Sequence, residues 1–77
     1  MNDKQRKDLS QLSNELSAIR SKVEDIQQEN QDAYDNMPES FRDGEKGESA
    51  QACIDNLQTT LDGIDQAQEG MDAAQQD

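Results

Sequence analysis

Apolar residues recur through the first half of the chain at alternating intervals of three and four positions. The series is Leu9, Leu12, Leu16, Ile19, Val23, Ile26, Asn30, Ala33 and Met37. This heptad pattern is typical of a helix that packs against another helix. Asn2 with Gln5 three residues later forms a capping-box sequence, and Pro38 disfavours helical geometry at the residue before it. The pattern predicts one helix over residues 3–36.

The second half repeats the same three-four pattern, although the series weakens toward the C-terminus. Its members are Ala50, Ile54, Leu57, Leu61, Ile64, Gln68, Met71 and Gln75. We expect a second helix over residues 48–74, followed by a frayed tail at 75–77.

The segment 37–47 holds the only proline and two of the four glycines, which predicts a hinge between the helices. Pro38 and the three residues after it suit a single helical turn with proline at its first position. Asp43-Gly44 is a turn signal, and Gly47 suits the entry to the second helix. The whole chain is therefore predicted to be one all-α domain, an antiparallel, coiled-coil-like helical hairpin.

The composition makes such a hairpin marginal on its own. The chain has 77 residues, of which 30% are hydrophobic and 3% aromatic, and its formal net charge is −11. Chains this small usually need a disulfide, a metal or a second subunit for stability. With one cysteine and no histidine, self-association remains. We expect a four-helix bundle or a larger homo-oligomer, with the apolar series as core and oligomer seam.

Two features of the seams allow more than one interpretation. Asn30 occupies a core position, where a buried amide can fix register and subunit number; alternatively, the seam opens there and Asn30 is solvated. Beside the second seam lies a stripe of small or short residues, which is either a second interface or a solvent-facing flank. This small-residue stripe comprises Cys53, Asn56, Thr60, Gly63, Ala67, Gly70 and Ala74.

The residue types argue against an enzyme. General acid–base chemistry near neutral pH most often uses histidine, which is absent, and Cys53 has no histidine to activate it. No calcium-binding loop sequence is present, so we expect neither a metal site nor a cofactor. No apolar run reaches the roughly 18 residues of a membrane span, and the N-terminus lacks a signal-peptide core. A lone cysteine fits a reducing cytoplasm.

Charge is distributed unevenly, since no basic residue follows Lys46. Carboxylates recur along one side of the second helix: Glu48, Asp55, Asp62, Asp65, Glu69 and Asp72. Four of them are seven residues apart, or about 10 Å, and the others reduce the spacing to roughly 4–6 Å. A nucleic-acid strand presents a phosphate every ~3.4 Å of axis. This face is therefore either a mimic that occupies a basic protein surface or a solvated exterior, and it argues against direct binding of nucleic acid or anionic lipid.

The hinge offers a different candidate site. Tyr34 and Phe41 are the only aromatic residues, and Arg42 and Lys46 lie near them in sequence. Aromatic and basic side chains together can stack a base and hold phosphates. The alternative is that Tyr34, Met37 and Phe41 plug the open end of the hairpin.

Two hinge motifs resemble a group of short proteins encoded by bacteriophages and prophages. Residues 33–40 read Ala-Tyr-Asp-Asn-Met-Pro-Glu-Ser, and residues 44–48 read Gly-Glu-Lys-Gly-Glu. The resemblance extends over about residues 8–66, but its specific part is the hinge, because the helices match only in pattern. The group has no settled activity, so the resemblance implies a phage origin and a two-helix fold. Residues 41–43 between the motifs are less characteristic.

Three functions follow as hypotheses. The first is a non-enzymatic protein in the host cytoplasm that antagonises immunity or nucleic-acid metabolism, by occluding a basic surface of a host protein with its acidic helix. The second is a sponge for a small nucleotide signal bound at the hinge. The third is a scaffold or chaperone component of a phage particle, for which the helices alone suffice.

Overall fold

The chain folds into a long helical hairpin with a short helix at its bend. A computed structural model describes residues 1–76, which form α1 (Asp3–Asp35), α2 (Glu39–Arg42) and α3 (Glu45–Gln75). Helices α1 and α3 pack along each other in opposite directions, and α2 packs against α3. The molecule measures 58 × 15 × 12 Å. The predicted all-α class is confirmed.

Helix α1 begins at a capping box. The Asn2 side chain accepts a hydrogen bond from the Gln5 backbone N–H at 2.8 Å, and the Gln5 side chain accepts one from the Asn2 backbone at 3.2 Å. Two backbone donors that a helix start leaves unpaired are thereby satisfied. The helix ends at Asp35, one residue before the predicted end, with Asn36 as its C-cap.

The hinge is shorter than the sequence suggested. Pro38 is the N-cap of α2 rather than its first helical residue, and α3 begins at Glu45 instead of residue 48. Gly44 is the N-cap of α3, and its carbonyl accepts the Glu48 N–H at 3.0 Å. Helix α3 starts early because acidic residues favour a helix N-terminus.

The C-terminal boundary also differs slightly from the predicted one. Helix α3 extends to Gln75, and Gln76 is its C-cap. Gln75, which was expected in the frayed tail, is thus helical, and its backbone carbonyl accepts a hydrogen bond from Arg6 at 3.2 Å. Asp77, the rest of the predicted tail, lies outside the described residues.

Gly47 lies at the entry to α3, as predicted, and it also makes a close backbone contact there. It lies inside the first turn of α3, is buried, and packs against the end of α2. A Cβ atom at this position would lie 1.8 Å from the Arg42 carbonyl oxygen and 2.4 Å from its carbonyl carbon. Only glycine permits so close an approach of two backbone segments.

The interior of the hairpin is small. Among residues 1–76, Ile54 and Leu61 are the only buried hydrophobic side chains, with exposed fractions of 7% and 2%. Leu57, Ile64 and Met71 on the same helix are half-buried. The apolar series of α3 therefore lies on the side that contacts α1.

The apolar series of α1 is divided between two environments. Its members at positions 9, 16, 23 and 30 are half-buried. In contrast, Leu12, Ile19 and Ile26 are 45%, 49% and 49% exposed. Polar positions 13, 20 and 27, together with Tyr34, are half-buried in their place. Since α3 covers only one side of α1, one half of the heptad pattern remains outside the hairpin.

Candidate functional site

The predicted acidic face is present on the surface of α3. We use this name for Glu48, Asp55, Asp62, Asp65, Glu69 and Asp72. All are exposed except Asp65, which is half-buried. Within the described chain, the salt bridges involve none of these carboxylates other than Asp65. Five of the six therefore have no salt-bridge partner among the described residues, although Asp62 lies close enough to Arg20 to interact with it electrostatically.

Asp65 is the one member of the acidic face with a basic partner. Its carboxylate accepts hydrogen bonds from Arg20 Nε at 2.6 Å and Nη2 at 3.1 Å, a bidentate pair that joins α3 to α1. Arg20 also bonds Glu24 on its own helix. The Arg20 hydrogen bond lowers the pKa of Asp65 below its ordinary value, against an opposing contribution from partial desolvation. The same hydrogen bond raises the pKa of Arg20.

Glutamine side chains orient two of the other carboxylates. Gln51 donates to Asp55 and Gln58 donates to Asp62, each at 3.1 Å and four residues apart along the helix. Gln27 of α1 in turn donates to Gln58 Oε1 at 3.0 Å. A relay of amides thus connects α1 to the carboxylate of Asp62.

A shallow groove of about 270 Å³ lies between the two long helices and borders the acidic face at Asp55. Its lining is Gln27, Gln28, Gln31, Ile54, Asp55 and Gln58. Amides supply both donors and acceptors, and Asp55 adds a negative charge. The groove is thus suited to a polar or cationic side chain of a partner.

The hinge residues mostly contact one another. The Arg42 guanidinium lies 5.8 Å from the centroid of the Tyr34 ring, and its Nη2 donates to the Met37 carbonyl at 3.2 Å. The Lys46 ammonium lies 4.8 Å from the centroid of the Phe41 ring, which is 47% exposed. Both cations therefore make cation–π contacts within the hinge. In this arrangement Arg42 and Lys46 are each paired with an aromatic ring of the same segment.

The two ambiguous features of the seams have distinct surroundings. Asn30 is half-buried, and its amide donates to the Ile26 carbonyl of its own helix at 2.8 Å. Cys53 is an exposed free thiol whose sulfur lies 3.9 Å from the Asn30 side-chain oxygen. In the small-residue stripe, a Cβ at Gly63 or Gly70 would meet no atom within 4 Å. Within one chain, these two glycines therefore face open space.

Sequence reasoning missed the polar residues that support the acidic face. Arg20, Gln27 and Gln58 were absent from the predicted site. The four-residue spacing of Gln51 to Asp55 and of Gln58 to Asp62 could have indicated the local pairs. The contacts of Arg20 and Gln27 depend on the alignment of α1 with α3, which has no local sequence signal.

The chain offers no other indication of chemistry within the described residues. No helix of residues 1–76 is long and apolar enough to cross a membrane. Over the same residues, no group of three histidine, cysteine or carboxylate side chains is placed to hold a metal ion. Neither a family model, a curated protein nor a solved structure matches the chain.

Proposed function

We propose that this protein is a non-enzymatic, phage-encoded binding protein that antagonises a host process by covering a basic protein surface with its acidic face. The observation that carries the proposal is the row of five exposed carboxylates without a salt-bridge partner along α3. The nucleic-acid machinery and immune effectors of a host cell present basic surfaces of the kind that such a face would occupy.

The lack of compensation within the chain supports this proposal. A surface that serves only solubility usually intersperses both signs of charge. The first half of this chain does so, because it holds five of the chain's seven basic residues among its acidic ones. Helix α3 has one basic residue, Lys46, against seven acidic ones. A one-signed surface steers an oppositely charged partner toward it and repels nucleic acid.

The geometry of the face adds specificity to the charge. A straight helix places Asp55, Asp62 and Glu69 about 10 Å apart along one line. The glutamines hold Asp55 and Asp62 in fixed positions before a partner arrives, which lowers the entropy lost on binding. Arg20 pairs with Asp65, so the charge available to a partner comes from the other five carboxylates.

A matched pair of triple variants tests the proposal. D55N/D62N/E69Q removes three charges from the acidic face, and D25N/D32N/D35N removes three from α1. Each set contains two aspartates that accept a hydrogen bond from a glutamine four residues earlier. Net charge and local hydrogen bonding therefore change equally in both variants.

The assay is affinity capture from a bacterial lysate with immobilised wild type and both variants, washed at 50 mM and then 500 mM salt. Circular dichroism verifies that both variants remain helical. We expect wild type and the α1 variant to retain a basic protein at low salt. High salt should release it, because screening shortens the electrostatic range. The α3 variant should not retain it at either salt concentration. Equal retention by all three proteins, or equal loss from both variants, would exclude the acidic face as the binding surface.

A further inference from the structure

The hairpin has an apolar side that none of residues 1–76 covers. Leu12, Ile19 and Ile26 are spaced one heptad apart on α1 and are each about half exposed. Leu57 and Ile64 are half-buried on α3. We refer to these five residues as the apolar face.

Contacts between the helices place these five residues on the same side of the hairpin. On the opposite side, Arg20 and Gln27 of α1 reach Asp65 and Gln58 of α3. On a helical wheel of about 100° per residue, Leu12, Ile19 and Ile26 lie roughly 100° from Arg20. Leu57 and Ile64 are displaced in the corresponding direction, away from the acidic residues. The apolar face and the acidic face therefore point to different sides.

We propose that the apolar face binds a second copy of this chain, with the two α1 helices antiparallel about a two-fold axis at Ile19. A broad side of a molecule measuring 58 × 15 × 12 Å offers at most on the order of 800 Å², about the area each partner contributes to a standard interface, and the apolar face occupies its middle. A single hairpin with two buried apolar side chains has little other core. The second copy would supply the additional buried apolar surface that a single hairpin lacks.

The sequence around Ile19 is suited to this axis. Leu12 and Ile26 lie seven residues on either side of it, so a two-fold rotation packs Leu12 of each copy against Ile26 of the other. Isologous interfaces require such self-complementarity. Hydrophobic residues then meet in three layers, at residues 12, 19 and 26.

Charges beside the apolar face match the same axis. Glu15 and Lys22 flank Ile19 on the outer edge of α1, and neither takes part in the salt bridges within the described chain. The antiparallel arrangement brings Glu15 of each copy to Lys22 of the other, and thereby forms two ion pairs. A parallel, in-register pair would not form these ion pairs, because Glu15 of one copy would lie level with Glu15 of the other, and Lys22 with Lys22.

The first test uses charge reversal and mixing of full-length chains, with sedimentation velocity as the readout. We expect wild type to sediment as a dimer at micromolar concentration. E15K and K22E each convert both ion pairs into like-charge contacts and should raise the dimer Kd roughly tenfold. An equimolar mixture should recover wild-type affinity, because in the heterodimer both positions of the E15K chain are basic and both positions of the K22E chain are acidic. Two ion pairs of opposite charge then form again.

The second test uses disulfide formation to determine orientation, in a C53S background so that the native thiol does not interfere. L12C and I26C are oxidised separately and as a mixture. The antiparallel arrangement predicts a cross-link only in the mixture, because Leu12 faces Ile26. Cross-linked L12C alone would overturn it in favour of a parallel pair.

Other outcomes also overturn the proposal. A wild type that sediments as compact single chains at 100 μM would exclude the second copy as occupant, whether or not another protein binds the apolar face. A mixture of E15K and K22E that stays as weak as its components would exclude the axis at Ile19. Because the acidic residues lie outside this interface, their neutralisation in D55N/D62N/E69Q tests host binding separately.

Discussion

Replacement of Gly47 by alanine provides the most direct test of the hinge. The added methyl group would lie 1.8 Å from the Arg42 carbonyl oxygen, where ordinary contacts are 3.4–4 Å. The obstructing atoms belong to the backbone, so no side-chain rotation relieves the overlap, and α2 must move by about 1.5 Å. Overpacking of this kind costs about 1–3 kcal/mol.

Alanine also has a favourable effect, because it is a better helix former than glycine by about 1 kcal/mol. With the steric cost at the upper end of its range, we expect Gly47→Ala to lower the free energy of unfolding by about 2 kcal/mol. For a chain of this length, that corresponds to a decrease in Tm of roughly 10 °C.

Gly63 and Gly70 provide matched controls within the same helix. A Cβ at either position meets no atom within 4 Å, so only the helix-propensity gain remains. Gly63→Ala and Gly70→Ala should each raise the free energy of unfolding by about 1 kcal/mol. All variants are compared by thermal and urea denaturation followed by circular dichroism, at one fixed protein concentration because self-association would make Tm concentration-dependent.

Two results would contradict these expectations. If Gly47→Ala unfolds at the wild-type temperature or above, α2 does not approach α3 as described. If Gly63→Ala or Gly70→Ala is less stable than wild type, the small-residue stripe is covered by another chain in solution. That second result would support an interface along the stripe.

Further predictions concern the core, the first cap and the cross-helix ion pair. Leu61→Ala should lower the free energy of unfolding by about 3 kcal/mol because its side chain is 2% exposed, whereas Leu12→Ala, at 45% exposure, should mainly weaken self-association measured by sedimentation. Asn2→Ala should cost about 1 kcal/mol in urea denaturation through loss of the capping box. Asp65 should titrate below its ordinary pKa of 3.8 by NMR and return toward it in Arg20→Gln. Because a depressed pKa stabilises the folded state only while the carboxylate is ionised, this contribution is present above pH 3.8 and is lost as pH falls through the lower folded value.

The sequence predicted the helices well because their signals are local. The capping box of Asn2 with Gln5 and the helix-ending effect of Pro38 each depend on a few neighbouring residues. They placed α1 within one residue of its bounds. The apolar series of α3 likewise indicated which side of that helix contacts α1.

The close contact at the hinge and the burial pattern of α1 have a different physical origin. Glycine is a general turn signal, which predicts the helix entry at Gly47 but not its contact with the backbone of Arg42. In α1, a heptad pattern marks every position that is apolar, but it does not say which partner covers each. The division between Leu16, which is half-buried, and Ile19, which is half exposed, depends on where α3 lies.

The charge pattern of the sequence predicted the acidic face, but it did not predict which side chains bond to its carboxylates. Six carboxylates could be listed from spacing alone. That Asp65 would be paired with Arg20, and that Gln27 would reach Gln58, requires the alignment of residues 45 and 31 positions apart in sequence. Such alignment is a property of the folded hairpin.

The close contact at Gly47 has a consequence for how the two long helices are aligned. Arg20 cannot by itself hold α3 in one register, because a slide of one turn in either direction would present Asp62 or Glu69 in place of Asp65. Because acidic residues recur along α3, Arg20 would find a carboxylate in each of these alignments. The backbone contact between Gly47 and Arg42 occurs once and has no equivalent one turn away. That contact joins α2 to α3, and Arg42 also donates to the Asp35 carbonyl at the end of α1 at 3.5 Å. We therefore expect a longer or looser bend to let the two long helices slip past each other.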